Sequence, residues 1–192
     1  MKTPLALPLE LPSSLGAYIF LDVEASGLHA GSYPIEVGWC GLDLVATSFL
    51  IRPHASWTED DWSVTSERVH GITRQQVIAE GVDLTEAAAR LNATCAGKEI
   101  ITDSPSFDQG WLSRLFREAG ISQTFTLQDA SALEAVAAEI SGLDASEAEA
   151  LRERVGRHYP HTHRAAVDAR RAASLFLAIA LPDAVDAIIA AS

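Results

Sequence analysis

This chain predicts an α/β fold: a mixed β-sheet of about five strands, flanked by α-helices on both faces. Three observations carry that expectation. Three runs rich in branched and aromatic residues follow one another after residue 16. From about residue 99 onward, strand-like and helix-like stretches alternate. In that later part, apolar residues recur at spacings of three to four, the period of an amphipathic helix.

The elements follow in order. Residues 1–16 contain Pro4, Pro8, Glu10 and Pro12, which interrupt any apolar run, so this stretch reads as an extended arm and not a signal peptide. Residues 17–192 read as one domain, long enough to bury roughly 70% of its unfolded surface. Strands are expected at 17–23, 35–42, 47–52 and 99–103, with a short one near 125–127. Helices are expected at 73–79, 83–93, 107–119, 128–140, 146–159, 164–180 and 183–191. Gly142-Leu143-Asp144 and Leu181-Pro182-Asp183 mark breaks, with the Asp at or near each following N-cap. No apolar run is long enough to span a bilayer, and no membrane partner is expected. Cys40 and Cys95 lack metal-ligand spacing and read as reduced thiols of a cytoplasmic protein. Nothing in the sequence fixes an oligomeric state; a homodimer is compatible with it.

The most informative segment is Phe20-Leu21-Asp22-Val23-Glu24, two carboxylates at the mouth of a buried strand. Side chains alternate along a strand, so Asp22 and Glu24 point to one side. Paired oxygen anions with one direction suit a hard divalent cation such as Mg²⁺ or Mn²⁺. Asp-x-Glu alone is a weak signal, because surface strand ends often carry acids. It gains weight from Asp108, in the first turn of a helix whose apolar face carries Phe107, Trp111, Leu112 and Leu115. It gains more from His163 and Asp168, five residues apart at the start of another helix.

The ordered set Asp22, Glu24, Asp108, His163, Asp168 resembles the DEDDh branch of the DEDD 3′→5′ exonucleases, with proofreading exonucleases and ribonuclease T among its members. Val69-His70-Gly71-Ile72-Thr73 is similar to a segment common between the family's first two motifs. The resemblance runs from about Ala17 to Leu177 and implies a ribonuclease H-like fold. The tyrosine branch would place Tyr four residues before the last Asp, where this chain has Arg164. Two departures touch substrate contacts: Ala25-Ser26-Gly27 stands where Thr-Thr-Gly is usual, and Ser104 or Ser106 where an Asn is common.

The resemblance implies hydrolysis of single-stranded DNA or RNA from the 3′ end with two Mg²⁺ or Mn²⁺ ions. Asp22 would bridge them, Glu24 and Asp168 would complete one shell, and Asp108 would reach the second ion through water. His163 would be the general base, since an imidazole with an ordinary pKa near 6.5 can take a proton at neutral pH. Ala25, Ser26, Gly27, Leu28 and Arg164 would contact substrate, with Leu28 packed on the terminal base. His158, His161 and His163 lack a completing cysteine, so a zinc site is disfavoured. His70 reads as a buried hydrogen-bonding residue and Trp111 as core.

Charge opposes a long polyanion: 14 Lys and Arg against 26 Asp and Glu leave a net of −12. The exception is 150–171, where six arginines face Glu153 and Asp168. That stretch is either a phosphate-binding patch or a helix face of internal pairs such as Glu149–Arg152 and Glu153–Arg157. Two other classes compete with an enzyme: a nucleic-acid-binding module whose site has lapsed, and a proofreading-type accessory subunit of a polymerase.

Overall fold

The computed structural model describes residues 17–191, so the expected arm at 1–16 lies outside the described residues. Five strands form one sheet: β1 (Tyr18–Ala25), β2 (Pro34–Gly41), β3 (Ala46–Leu50), β4 (Glu99–Thr102) and β5 (Leu127–Asp129). Their order is β3-β2-β1-β4-β5. β1 runs antiparallel to β2, and β2 to β3, whereas β4 lies parallel to β1 and β5 parallel to β4. This is the mixed sheet the sequence predicts. The helices are α1 (Val64–His70), α2 (Arg74–Glu80), α3 (Leu84–Cys95), α4 (Pro105–Ala119), α5 (Ala130–Ser141), α6 (Ala145–Gly156), α7 (Ala165–Ala180) and α8 (Val185–Ala190).

Alternation along β1 separates two cores. Ile19, Leu21 and Val23 face one, with Ile35 and Val37 of β2, Leu91 of α3, and Leu112 and Leu115 of α4. Phe20 faces the other, with Cys40, Ile101 and the apolar side of α7, including Phe176 and Ile179. Asp22 and Glu24 continue the Phe20 side and therefore look toward α7. Gly38, opposite Asp22 in the β1–β2 register, is what lets α7 approach. A Cβ there would lie 2.3 Å from the backbone carbon of Ala165.

Several boundaries differ from expectation for local reasons. β1 extends through both acids to Ala25, with a register shift between Glu24 and Ala25, so the carboxylates lie within the strand and not beyond it. The last strand sits two residues later than expected and hands over directly to α5, whose N-cap is Asp129. Helix α1 was not expected. Ser63 caps it by accepting from Ser66 N–H, and Gly71 ends it at φ 70°. Asp144 caps α6 as expected. Asp183 instead lies inside a 3₁₀ turn (Pro182–Ala184), and α8 starts from Ala184.

Candidate metal centre and nucleic-acid cleft

Asp22, Glu24 and Asp168 each place a carboxylate oxygen within 4.8 Å of the others. The first two come from β1 and the third from the first turn of α7, packed over the same face of the sheet. Burial, with Glu24 next in weight, pushes the Asp22 carboxyl well above the usual range. Burial and the neighbouring Asp168 push Glu24 up to about 7. Asp22 Oδ2 is buried and has no hydrogen-bond partner. Buried polar atoms are almost always partnered, so an unpartnered carboxylate oxygen set among other acids fits a site for a cation.

Asp108 reaches the cluster from the other side of the sheet, at the start of α4. It is 1% exposed, and burial pushes its carboxyl up to about 7 even though Thr102 donates its hydroxyl to Oδ2. It is not within the 4.8 Å set.

The histidine loop is held from both ends. Asp168 accepts Thr162 N–H at 2.9 Å and Arg164 N–H at 3.1 Å. His163, between them, has φ 55°, a left-handed conformation that costs an L-residue about 1–2 kcal/mol. His161 and His163 rings meet edge to face at 4.2 Å. His161 Nε2 stands 3.5 Å from Asp168 Oδ2, whereas His163 lines the cleft with Glu24.

That cleft, about 210 Å³, is walled by Glu24, Gly27, Leu28, Val69, Trp111 and His163 among others. Leu28 is 75% exposed and Phe107 53%, so both stand ready to meet a flat apolar ligand. A second hollow of about 340 Å³ lies beyond Leu28 and Trp111, with Phe107 and Arg114 in its lining. Trp111 is half-buried and donates its indole N–H to Ser32 Oγ at 2.9 Å, so it belongs to the cleft wall and not only to the core. His70 is 5% exposed and its Nδ1 accepts Ile72 N–H at 3.0 Å, the structural role expected of it.

Two expected substrate contacts are otherwise engaged. Ser26 is fully buried; its hydroxyl donates to the Asp61 carbonyl at 2.8 Å and accepts Tyr33 N–H at 3.1 Å. It ties the β1–β2 connection to the 3₁₀ turn Glu59–Asp61, and its one proton is already donated. Arg164 gives Nε and Nη2 to Glu36 at 3.0 Å each, and it is drawn to that buried anion rather than to the cleft. Ala25 is buried, so only its backbone is available to a ligand. Glu36 and Thr102 carry no motif. The signal for Glu36 was an acid inside an otherwise apolar strand, Tyr33 to Val37.

Oxygen anions from Asp22, Glu24 and Asp168 therefore fit a hard divalent cation. All three lie within 4.8 Å of one another, near enough for one ion to reach oxygens of each. A ribonuclease H-like sheet with this acidic mouth defines a class of metal-using phosphodiester hydrolases. A family model described as "Exonuclease", of the RNase T type, matches residues 19–176, and the chain belongs to that family. No curated protein matches the chain significantly in sequence. Among solved structures it is similar to the zinc-bound complex of E. coli exonuclease I with single-stranded DNA. That match has a TM-score of 0.61 and 18% identity, over 88% of this chain and 42% of the other. The complex of E. coli exonuclease I with a dA16 oligonucleotide matches with the same figures: 0.61, 18%, 88% and 42%. A product-bound exonuclease I matches with a TM-score of 0.59 and 18% identity, over 88% of this chain and 45% of the other. The chain thus spans less than half the length of these proteins, whose likeness establishes the fold.

Proposed function

We propose that the protein is a metal-dependent 3′→5′ exonuclease of the histidine branch, acting on single-stranded 3′ ends. The observation that carries this reading is the cluster of Asp22, Glu24 and Asp168, two half-buried and one buried, with one orphaned oxygen. When bound, a pair of Mg²⁺ or Mn²⁺ ions supplies an activated water and neutralises charge on the attacking and leaving oxygens. Asp22, Glu24 and Asp168 would hold the ions, and Asp108, beside them, would help to hold the second. His163 accepts a proton from the attacking water at its imidazole nitrogen. Gly27 and Leu28 close the site beyond the metals, so the reacting phosphate is the one nearest the 3′ end. The backbone after Glu24 receives the terminal hydroxyl, and Leu28 packs on the terminal base without reading its identity. The single-stranded DNA in the matched exonuclease I complexes supports the substrate class. The whole domain, 17–192, acts as one unit in this reading. Cys40 and Cys95, both buried and unpaired, support a cytoplasmic setting. Among the described residues, no helix is long and apolar enough to cross a membrane.

The test is a time course on a 5′-labelled single-stranded oligonucleotide with Mg²⁺ or Mn²⁺. A descending ladder in single-nucleotide steps is expected, blocked by a chelator and by a 3′-phosphate. Internal fragments from a circular single strand would overturn the polarity.

A further inference from the structure

We infer that Glu36 is a positioning residue for the histidine loop, acting through Arg164 as a strut; this rests on the reading of His163 as general base. In the β1–β2 register Glu36 lies directly opposite Glu24, on the face that meets α7. Like charges across a strand pair repel, and Glu36 is 1% exposed, so it must be paired to remain charged. Four donors saturate its two oxygens. Arg164 Nε donates to Oε2 at 3.0 Å and Nη2 to Oε1 at 3.0 Å. Ala165 N–H reaches Oε2 at 3.1 Å, and Ser48 Oγ reaches Oε1 at 2.9 Å. Glu36 therefore has nothing left for a metal ion.

The grip is transmitted to one residue. Glu36 fixes the Arg164 side chain and the Ala165 amide, while Asp168 fixes the amides of Thr162 and Arg164. These amides lie at the start of α7, where helix N–H groups lack intrahelical partners. Gly38 lets that start rest on β2 with no room to slide. His163, at φ 55°, is the residue held between these anchors. Freeing Arg164 for a phosphate would leave a buried carboxylate unpaired, which is costly.

The test compares Glu36→Gln, Arg164→Lys, His163→Ala and the double variant Glu36→Gln/His163→Ala on a short oligonucleotide with Mn²⁺. Glu36→Gln should lower kcat roughly 10–100-fold, the range for residues supporting a site from behind. KM and calorimetric Mn²⁺ affinity should stay within about twofold of wild type. In the His163→Ala background the same substitution should cost almost nothing further, because the base it positions is gone. An equal loss in both backgrounds shows a general structural role and overturns the proposal. So does a raised, more salt-sensitive KM with retained kcat in Arg164→Lys, which marks a phosphate contact. Amide hydrogen exchange over 162–165 should quicken in Glu36→Gln, or in Arg164→Lys if the first variant does not fold. Unchanged exchange there overturns the strut whatever the activity. Absent activity in the wild type with quickened exchange in the variant removes the exonuclease reading alone.

Discussion

Asp22 has an ordinary carboxylate's chemistry in a place where a carboxylate cannot comfortably be charged. Glu24 and Asp108, each pushed up to about 7, share that difficulty. A folded-state pKa above the unfolded one means protons are bound on folding, so stability falls as pH rises from about 4 to about 7. The metal-free protein should therefore melt at a lower temperature at pH 7.5 than at pH 5. Mn²⁺ should raise the melting temperature at pH 7.5 and do little at pH 5; scanning calorimetry with chelator or metal reads both. Asp22→Asn should abolish metal-dependent turnover yet melt higher without metal, since repulsion is relieved. A lower melting temperature in that variant would make the carboxylate structural. His163→Ala should slow the reaction roughly 10²–10⁴-fold. His161, 3.5 Å from Asp168, is the competitor: a larger loss from His161→Ala reassigns the base. Asp22 and Glu24 were legible in the sequence as a same-sided pair because strand alternation is a local rule, and Asp168 joined them through the resemblance of the ordered set to the exonuclease family. The anchors were not. Glu36 finds Arg164 128 positions away, and no local period reports such a pair.

The elements were legible where a strong period or stop signal ran long enough. α7 shows both, and its expected span of 164–180 matches Ala165–Ala180. α1, seven residues long, was hidden because its apolar face contributes little core: Val64 and Val69 are both more than 50% exposed. Its punctuation was present all the same, in Ser63 and Gly71. The expectation for the short β5 fell early because Phe125 and Leu127 both read as strand, whereas pairing with β4 starts the strand at Ile100↔Leu127. Gly38 is a position at which two elements meet with no room for a side chain. Gly38→Ala adds a methyl against the Ala165 backbone at 2.3 Å and should push the start of α7 off β2. Overpacking of this kind costs about 1–3 kcal/mol. The melting temperature should fall, and Mn²⁺ affinity with it, because Asp168 rides on the displaced turn. A variant with wild-type melting and metal binding would show that α7 has slack there.

For the molecule as a whole, charge and function pull apart, since a net of −12 is poorly suited to a polyanion. The arginine-rich stretch 150–171 does little to resolve this, because the protein's own acids pair with four of its six arginines. Arg152 pairs with Glu134 and Glu149, Arg154 with Asp186, Arg157 with Glu153, and Arg164 with Glu36. Arg170 donates to the Ala191 carbonyl. On the proposed function, affinity would come largely from the carboxylate site with its metal and from apolar contact at the rim, where Leu28 and Phe107 stand 75% and 53% exposed. Each phosphate neutralised by a protein cation steepens the salt dependence of single-strand binding by about 0.7 in log–log slope. With about one such contact, KM should rise less than roughly threefold between about 50 and 200 mM KCl at fixed Mg²⁺. Leu28→Ala should raise KM by an amount equivalent to about 1–3 kcal/mol, with kcat nearly kept, as expected for a contact equal in ground and transition states. A rise of KM with salt steeper than about tenfold over that range would mean that the ion pairs of α6 open to receive phosphates. The arginine stretch, not the apolar rim, would then set substrate affinity.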